Sequence, residues 1–216
     1  SNYDDLTGLA NRTLFKERLH QAGQRARQSG RSLALLHIDL DRFKILNDSL
    51  GHELADQLLR QMSRRLAQTI PEAETLARLS GDEFAVLLDS YGSLSSLARL
   101  ASRVLSKLRL PIMVGDQELV VSASIGISLL PDNAREISTL LSQANMAVQH
   151  AKHLGGNTFQ FYTDNLQACT LERLQLENQL RKGIEEGQLE VFYQPKLCLA
   201  DDSLHAAEAL VRWRHP

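Results

Sequence analysis

The sequence predicts an α+β fold, a central mixed sheet with helices over its faces. Three observations carry this. Apolar periods of helical and of strand type interleave along most of the chain. Residues 33–39 (LALLHID) form an unbroken apolar run of strand length, the pattern of a strand covered on both sides. Residues 76–79 and 84–88 are short apolar runs joined only by the polar Ser80-Gly81-Asp82-Glu83, which demands an antiparallel hairpin inside the alternating pattern.

The elements follow in order. Residues 11–30 read as a helix stopped by Gly30. After the strand at 33–39, Leu54, Leu58, Met62 and Leu66 recur at every fourth residue and mark an amphipathic helix. The hairpin comes next, and then a helix carrying Leu94, Leu97, Ala101, Val104 and Leu108. Over residues 119–127, Val121, Ala123, Ile125 and Ile127 alternate with Ser122, Ser124 and Gly126, which predicts a half-buried strand. Ile137, Leu140, Leu141, Ala144, Val148 and Ala151 predict a helix that stops at Gly155-Gly156, and residues 158–162 one more short strand. Beyond Asp164 the character changes. Leu171, Leu174, Leu176, Leu180 and Ile184 sit on a strongly charged helix closed by Gly187. Residues 189–199 and 204–213 then read as two strands, too few to bury a core alone. The expected organisation is a first domain at 3–163, a connector helix at 164–187, and at 188–216 the opening of a second domain. No internal repeat interrupts it.

Composition narrows the function classes. The 216 residues suffice for one well-buried domain with chain to spare. Lys and Arg number 24 against 26 Asp and Glu, a formal charge of −2, which gives no electrostatic case for nucleic acid or a membrane surface. Cys169 and Cys198 have no CxxC spacing, so a disulfide framework or zinc site is not expected and a reducing cytoplasm is. No apolar run is long enough to span a bilayer, and Ser1-Asn2 does not open a signal peptide. The start reads as that of an excised fragment, whose parent could be membrane-anchored elsewhere.

Chemistry concentrates in two acidic motifs. Asp39-Leu40-Asp41-Arg42-Phe43-Lys44 places Asp39 at the end of the buried strand, where open sheets put ligand sites. Asp82-Glu83 lies at the hairpin tip. If that strand borders the hairpin, the carboxylates converge, and they repel one another unless a cation sits between them. Mg²⁺ fits, because it takes hard oxygen ligands and keeps substrate phosphates as partners. Taken alone, Asp39 is equally read as a helix-capping residue, and Asp82-Glu83 as a polar turn. No GxxxxGK[ST] loop occurs, which excludes a P-loop nucleotide site. Asn47 and Asp56 carry groups that could read a guanine edge, although each alone is an ordinary polar helix residue.

Four segments together resemble a GGDEF diguanylate cyclase domain over about residues 3–162: Asp5-Leu6-Thr7-Gly8-Leu9-Ala10-Asn11-Arg12, residues 39–48 (DLDRFKILND), Gly51-His52, and Arg78-Leu79-Ser80-Gly81-Asp82-Glu83-Phe84. The resemblance implies a nucleotidyl cyclase, polymerase-palm-like fold. It implies two GTP molecules, one on each of two facing domains of a homodimer, condensing to cyclic di-GMP with loss of two pyrophosphates. By position, Asp39 and Asp82 would bind Mg²⁺ (or Mn²⁺) with the Leu40 carbonyl. Glu83 would support a metal or act on the 3′-hydroxyl, so Asp82 and Glu83 are the catalytic pair. Asn47, Asp56 and His52 would form the guanine pocket, Gly81 would allow close approach of the nucleotide, and Phe43, Lys44 and Lys152 would contact phosphates.

The sequence departs from the family pattern in four places. Ser80 replaces the first glycine of the signature, adding a Cβ and limiting positive-φ freedom. Gly156 follows Gly155 where the family reads arginine, removing a charge-assisted phosphate contact. Gln149 replaces an aromatic. Pro71-Glu72-Ala73-Glu74 replaces the Arg-x-x-Asp product-inhibition site, so no feedback of that type is expected.

The tail, Tyr193-Gln194-Pro195-Lys196 and Glu208-Ala209-Leu210-Val211-Arg212-Trp213, resembles the start of an EAL cyclic di-GMP phosphodiesterase domain. That likeness implies Glu208 as a metal ligand and Gln194 and Arg212 as dinucleotide contacts, with no phosphodiesterase activity from this chain alone. The helix at 169–186 reads either as a terminal helix or as a lever between domains. His20, His37, His150, His153, His205 and His215 show no metal-ligand spacing, and Arg25, Arg27, Arg64 and Arg65 read as solvated helix faces. Three functions stay open: an active cyclase in a signalling protein, a GTP-binding module regulating an attached phosphodiesterase, and a structural interaction domain.

Overall fold

The continuous apolar run becomes β1 (Leu33–Leu40), buried at every position. The computed structural model describes residues 2–198 and 203–214, without the side chains at 167–174, 197 and 205. The side chains of Cys169, Leu171, Leu174 and His205, and the whole of Leu199 and His215, lie outside the described residues. α1 (Arg12–Ser29) precedes β1; Asn11 caps it by accepting the Leu14 N–H at 3.0 Å, and Gly30 ends it at φ +66°. After β1 come α2 (Phe43–Leu50), α3 (His52–Thr69), β2 (Thr75–Ser80), β3 (Glu83–Asp89) and α4 (Leu94–Leu108). β4 (Ile112–Val114), β5 (Gln117–Leu119), β6 (Ala123–Leu130), α5 (Ile137–His153) and β7 (Phe159–Phe161) complete the first unit.

The sheet order is β2-β3-β1-β6-β7. β1 runs antiparallel to both β3 and β6, while β7 is parallel to β6. The sheet is therefore mixed, as expected. Its faces follow from the period of two. Ala34, Leu36, Ile38 and Leu40 join one core with α3, α4 and the β4–β5 hairpin. Leu33 and Leu35 join the other with α1 and α5.

Several elements depart from expectation. The strand expected at 119–127 starts later, at Ala123, and is not half-buried. Ser124 and Ser128 are fully enclosed, because the small side of the alternation faces α5 instead of water. A Cβ on Gly126 would overlap the Ala144 carbonyl oxygen and lie 2.5 Å from the Val148 nitrogen, so α5 backbone rests directly on β6. The β4–β5 hairpin went unseen because strands of three residues carry too few periods. Arg65, read as part of a solvated helix face, is half-buried and does more than meet water. Its guanidinium donates to the carbonyls of Lys107, Leu108, Leu110 and Pro111, tying α3 to the end of α4. Arg25 pairs with Glu74, and Arg27 donates to the Arg135 carbonyl.

The chain divides into two compact units, Ser1–Leu166 and Gln167–Pro216. α6 (Asp164–Glu185) leads into β8 (Leu189–Leu197) and β9 (Leu204–Trp213), an antiparallel pair. Within the second unit a Cβ on Gly183 would lie 2.6 Å from Trp213 Nε1, which donates to Gln188 Oε1 at 3.1 Å. Among the described residues no helix is long and apolar enough to cross a membrane.

Gly126→Val forces α5 off the sheet. It is expected to destabilise the first unit by at least about 3 kcal/mol, read as a drop in denaturation midpoint. A melting curve like that of the parent would mean that α5 can lift without cost.

Candidate active site

The register Asp39↔Glu83 sets the end of β1 beside the β2–β3 hairpin, and the Leu40 N–H donates to the Asp82 carbonyl at 3.3 Å. The two acidic motifs therefore meet at one end of the sheet. Gly81 supplies the left-handed turn residue at φ +47°, with no atom within 4 Å of a Cβ built on it. Ser80 is not among the residues with positive φ, so the serine strains nothing at this turn. It does make a new contact, donating its hydroxyl to Glu83 Oε2 at 2.7 Å. Arg12 approaches the same oxygen at 3.5 Å. Arg78 braces the turn from behind, donating to the Gly81 carbonyl at 2.8 Å while pairing with Asp4 at 3.1 Å. Burial raises the Asp4 carboxyl, but hydrogen bonds from Thr7 and Arg78 outweigh it and hold the group below its ordinary value. Asp4, with Thr7 and Arg12 of the motif that follows it, is thus a brace for the hairpin.

Asp39 is the electrostatic centre. It is 6% exposed, and Lys152, in the last turn of α5, reaches its Oδ2 at 2.7 Å. Its Oδ1 is buried and has no hydrogen-bond partner. Burial pushes the carboxyl up to about 6. The Lys152 hydrogen bond and charge pull it down, and the charge of Asp82 pushes it up. The same strand buries His37, whose ring nitrogens both lack a hydrogen-bond partner. Desolvation holds His37 below its ordinary value against the pull of Glu83 and Asp39.

These residues fit a divalent cation. An orphaned carboxylate oxygen beside a second carboxylate is a cation's place, with Lys152 as the charge that balances it. Among the described residues no group of three or more His, Cys, Asp or Glu side chains is placed to hold a metal. Two carboxylates suit Mg²⁺, which completes its shell from carbonyl, water and phosphate oxygens.

The expected nucleotide-contacting residues lie on α2, α3 and the end of α5. Phe43 is buried in the core, so what it offers outward is backbone at the start of α2, where Arg42 adopts φ +56°. Lys44 is exposed. Asn47 near the end of α2, and His52 and Asp56 in the first turns of α3, flank the Gly51 turn, which Asn47 closes by accepting the Gly51 N–H. In the second unit, Gln194 pairs directly with Glu208, and Arg212 with Glu190, on one exposed face of the β8–β9 hairpin. Lys196 reaches Glu208 at 3.0 Å. Elsewhere, a hollow of about 540 Å³ between α3 and α4 includes Arg65 and Arg103, but Arg65 is spent on carbonyls and Arg103 on Glu72.

Sequence reasoning missed Asp41 and Ser80 as functional groups. The carboxylate of Asp41 faces Ser122, Ser124 and the Gly156 turn. A Cβ at 156 would lie 2.9 Å from that carboxylate, so the glycine in place of the family's arginine answers to Asp41. The alternating serines were the visible signal, but they read as water-facing.

The folded chain holds the Asp39 proton more tightly than the unfolded chain does. Its favourable contribution is therefore full below about pH 3.8 and is lost as pH rises through about 6. Asp39→Asn is expected to raise the metal-free melting temperature at about pH 7.5 and to leave it unchanged near pH 4; equal shifts at both would place the cause elsewhere. A divalent cation competes with that proton, so Mn²⁺ affinity is expected to fall about tenfold per pH unit below about 6 in a calorimetric titration.

Comparison with protein families matches residues 1–158 to the family described as diguanylate cyclase, GGDEF domain. The chain is similar to the cyclic di-GMP phosphodiesterase NbdA of Pseudomonas aeruginosa, 42% identical over 216 residues, covering 100% of this chain and 28% of NbdA. It is 38% identical over 214 residues to the bifunctional diguanylate cyclase/cyclic di-GMP phosphodiesterase MucR of the same organism, covering 99% of this chain and 31% of MucR. It thus spans less than a third of either relative's length. A solved form of TpbB (YfiN) from Pseudomonas aeruginosa comprising only the GGDEF domain superposes with a TM-score of 0.75 at 36% identity, over 78% of this chain and 99% of that one. A sensory box/GGDEF family protein from Caulobacter crescentus gives a TM-score of 0.66 at 41% identity, over 71% and 99%. The expected α+β sheet is the sheet of these structures. The chain belongs to the diguanylate cyclase GGDEF-domain family.

Proposed function

We propose that the first unit binds GTP with Mg²⁺, Mn²⁺ serving in its place, and that two such units condense two GTP into cyclic di-GMP. The observation that carries this is the buried Asp39 with its orphaned oxygen, set beside Asp82 and faced by Lys152. Asp39 and Asp82 would hold the cation with the Leu40 carbonyl. When bound, the cation supplies charge that polarises the phosphate and acidifies an attacking hydroxyl. Lys152, Lys44 and the first N–H groups of α2 bind the phosphates; Asn47, His52 and Asp56 orient the guanine. Gly81 lets the backbone approach the nucleotide. The 3′-oxygen of one GTP bonds to the α-phosphorus of the other as pyrophosphate leaves, and the second such bond closes the ring. Glu83, held by Ser80 and Arg12, takes the 3′ proton or supports the cation. Two sites must face each other, so a homodimer is the working state.

The proposed organisation is a GGDEF domain at 3–163, a connector at 164–187 and the start of an EAL domain at 188–216, within a cytoplasmic signalling protein. Gln194, Glu208 and Arg212 would be that second domain's ligand-contacting residues, and their shared face supports the assignment. Neither nucleic acid nor a membrane is a partner of this chain. One observation favours a second reading, in which GTP is bound but turned over slowly and regulates the phosphodiesterase: the Ser80 hydroxyl occupies the Glu83 carboxylate.

Incubation of the chain at high concentration with GTP and Mg²⁺ is expected to yield cyclic di-GMP by mass spectrometry. Asp82→Ala is expected to lower the yield at least about a hundredfold. Bound GTP without product would select the regulatory reading, and a titration showing no GTP binding would overturn both. If the Ser80 contact restrains turnover, Ser80→Gly raises the product rate several-fold; an unchanged rate removes the one observation behind the second reading.

A further inference from the structure

We infer that Asp41, the second carboxylate of the Asp39-Leu40-Asp41 motif, is a positioning residue that fastens the turn after α5 and so holds Lys152 on Asp39. The inference rests on the proposed nucleotide site and goes beyond it. Asp41 Oδ1 accepts the Ser124 hydroxyl at 2.6 Å, and Oδ2 accepts the Ser122 hydroxyl at 2.6 Å and the Asn157 N–H at 2.8 Å. The Asp41 N–H donates to the Ser122 carbonyl at 2.8 Å. One carboxylate thereby joins the end of β1, the approach to β6 and the turn leaving α5.

That turn is unusual in its own right. Gly155, Gly156 and Asn157 take φ of +108°, +74° and +49° in succession. Asn157 is not glycine and bears the cost of a left-handed backbone, which the charge-assisted bond to Asp41 offsets. A Cβ built on Gly156 would lie 2.9 Å from the Asp41 carboxyl group, so the carboxylate would have to give way to one. The turn is wound tightly onto Asp41, and its Gly155 and Gly156 N–H groups close the last turn of α5 on the carbonyls of Lys152 and Ala151. Lys152 sits in that last turn. Two carboxylates two residues apart on β1 thus grip one helix end, Asp39 through the Lys152 ammonium at 2.7 Å and Asp41 through the Asn157 amide. Of these two carboxylates, Asp41 has both oxygens satisfied, while Asp39 keeps a buried oxygen without a hydrogen-bond partner.

The test keeps the Asp41 charge and removes its anchors. In a Ser122→Ala/Ser124→Ala double variant without nucleotide, Lys152 should be acetylated by a limiting reagent about fivefold faster than in the parent, read by peptide mass spectrometry, while Lys16 and Lys107 are unchanged. Asp41→Asn should release Lys152 likewise, and serves if the double variant folds poorly. An unchanged Lys152 rate in a folded variant overturns the inference whether or not GTP binds. The Kd for Mg²⁺·GTP should rise about fivefold in the double variant but less than about twofold when Lys152→Ala is already present. The same factor in both backgrounds would mean a general structural effect and overturn the link to Lys152. A parent chain that binds no GTP sinks the proposed function alone, and the acetylation rates then decide on Asp41.

Discussion

The contact of α5 with β6 at Gly126 governs the geometry of everything around it. Ordinary side chains keep a helix backbone off a sheet; here the α5 backbone comes down on Gly126 with nothing between, on a strip that the buried Ser124 and Ser128 continue. Alanines at 144, 147 and 151 give the helix a similarly bare face. Ser128 donates to the Leu140 carbonyl at 2.8 Å, a bond that is possible only because the elements are this close. At its other end the helix is registered by Ile137, which packs where Gly23 of α1 leaves space. The axial position of α5 is therefore fixed at both ends, and Lys152 arrives over Asp39 as a consequence.

A buried carboxylate is unfavourable, and the acidic end of the sheet shows how the fold tolerates one. Desolvation and the Asp82 charge work against ionisation of Asp39, and one lysine answers them. The balance is incomplete, since one oxygen is left without a partner. Incomplete balance is what a binding site requires: a fully neutralised carboxylate would give a cation nothing to gain. Glu83, by contrast, lies nearer the solvent and is shared between Ser80 and Arg12. Two acids paired across β1 and β3 thus meet different environments, one short of positive charge and one already supplied.

Much of this was legible in the sequence where the pattern was long or chemically unusual. The run at 33–39, the Ser80–Glu83 turn and the apolar period of α5 each implied one element, and pairing of β1 with the hairpin was enough to predict that Asp39 and Glu83 converge. What escaped notice did so for physical reasons. Ser122 and Ser124 look like the wet side of a strand, because sequence alternation reports polarity and cannot say whether water or a close helix backbone lies opposite. Arg65 looks like a surface charge until the carbonyls it collects, more than forty positions away, come into place. Ser80 was visible as a lost glycine, but the hydroxyl that replaced it mattered through a neighbour only three residues on. α2 was hidden in plain view, its eight residues absorbed into a motif read for chemistry.

The second unit carries a single aromatic indole in a telling place. Trp213 is the one tryptophan of the chain, and it lies against the bare backbone of α6 at Gly183 with its N–H on Gln188. All indole emission from this protein therefore originates at the junction between a helix and a β-hairpin. An excited indole is sensitive to its hydrogen bond and to the dielectric around it, so the colour of that emission reports whether α6 is seated on β9. The chain comes with an optical gauge built into the joint, readable without a label.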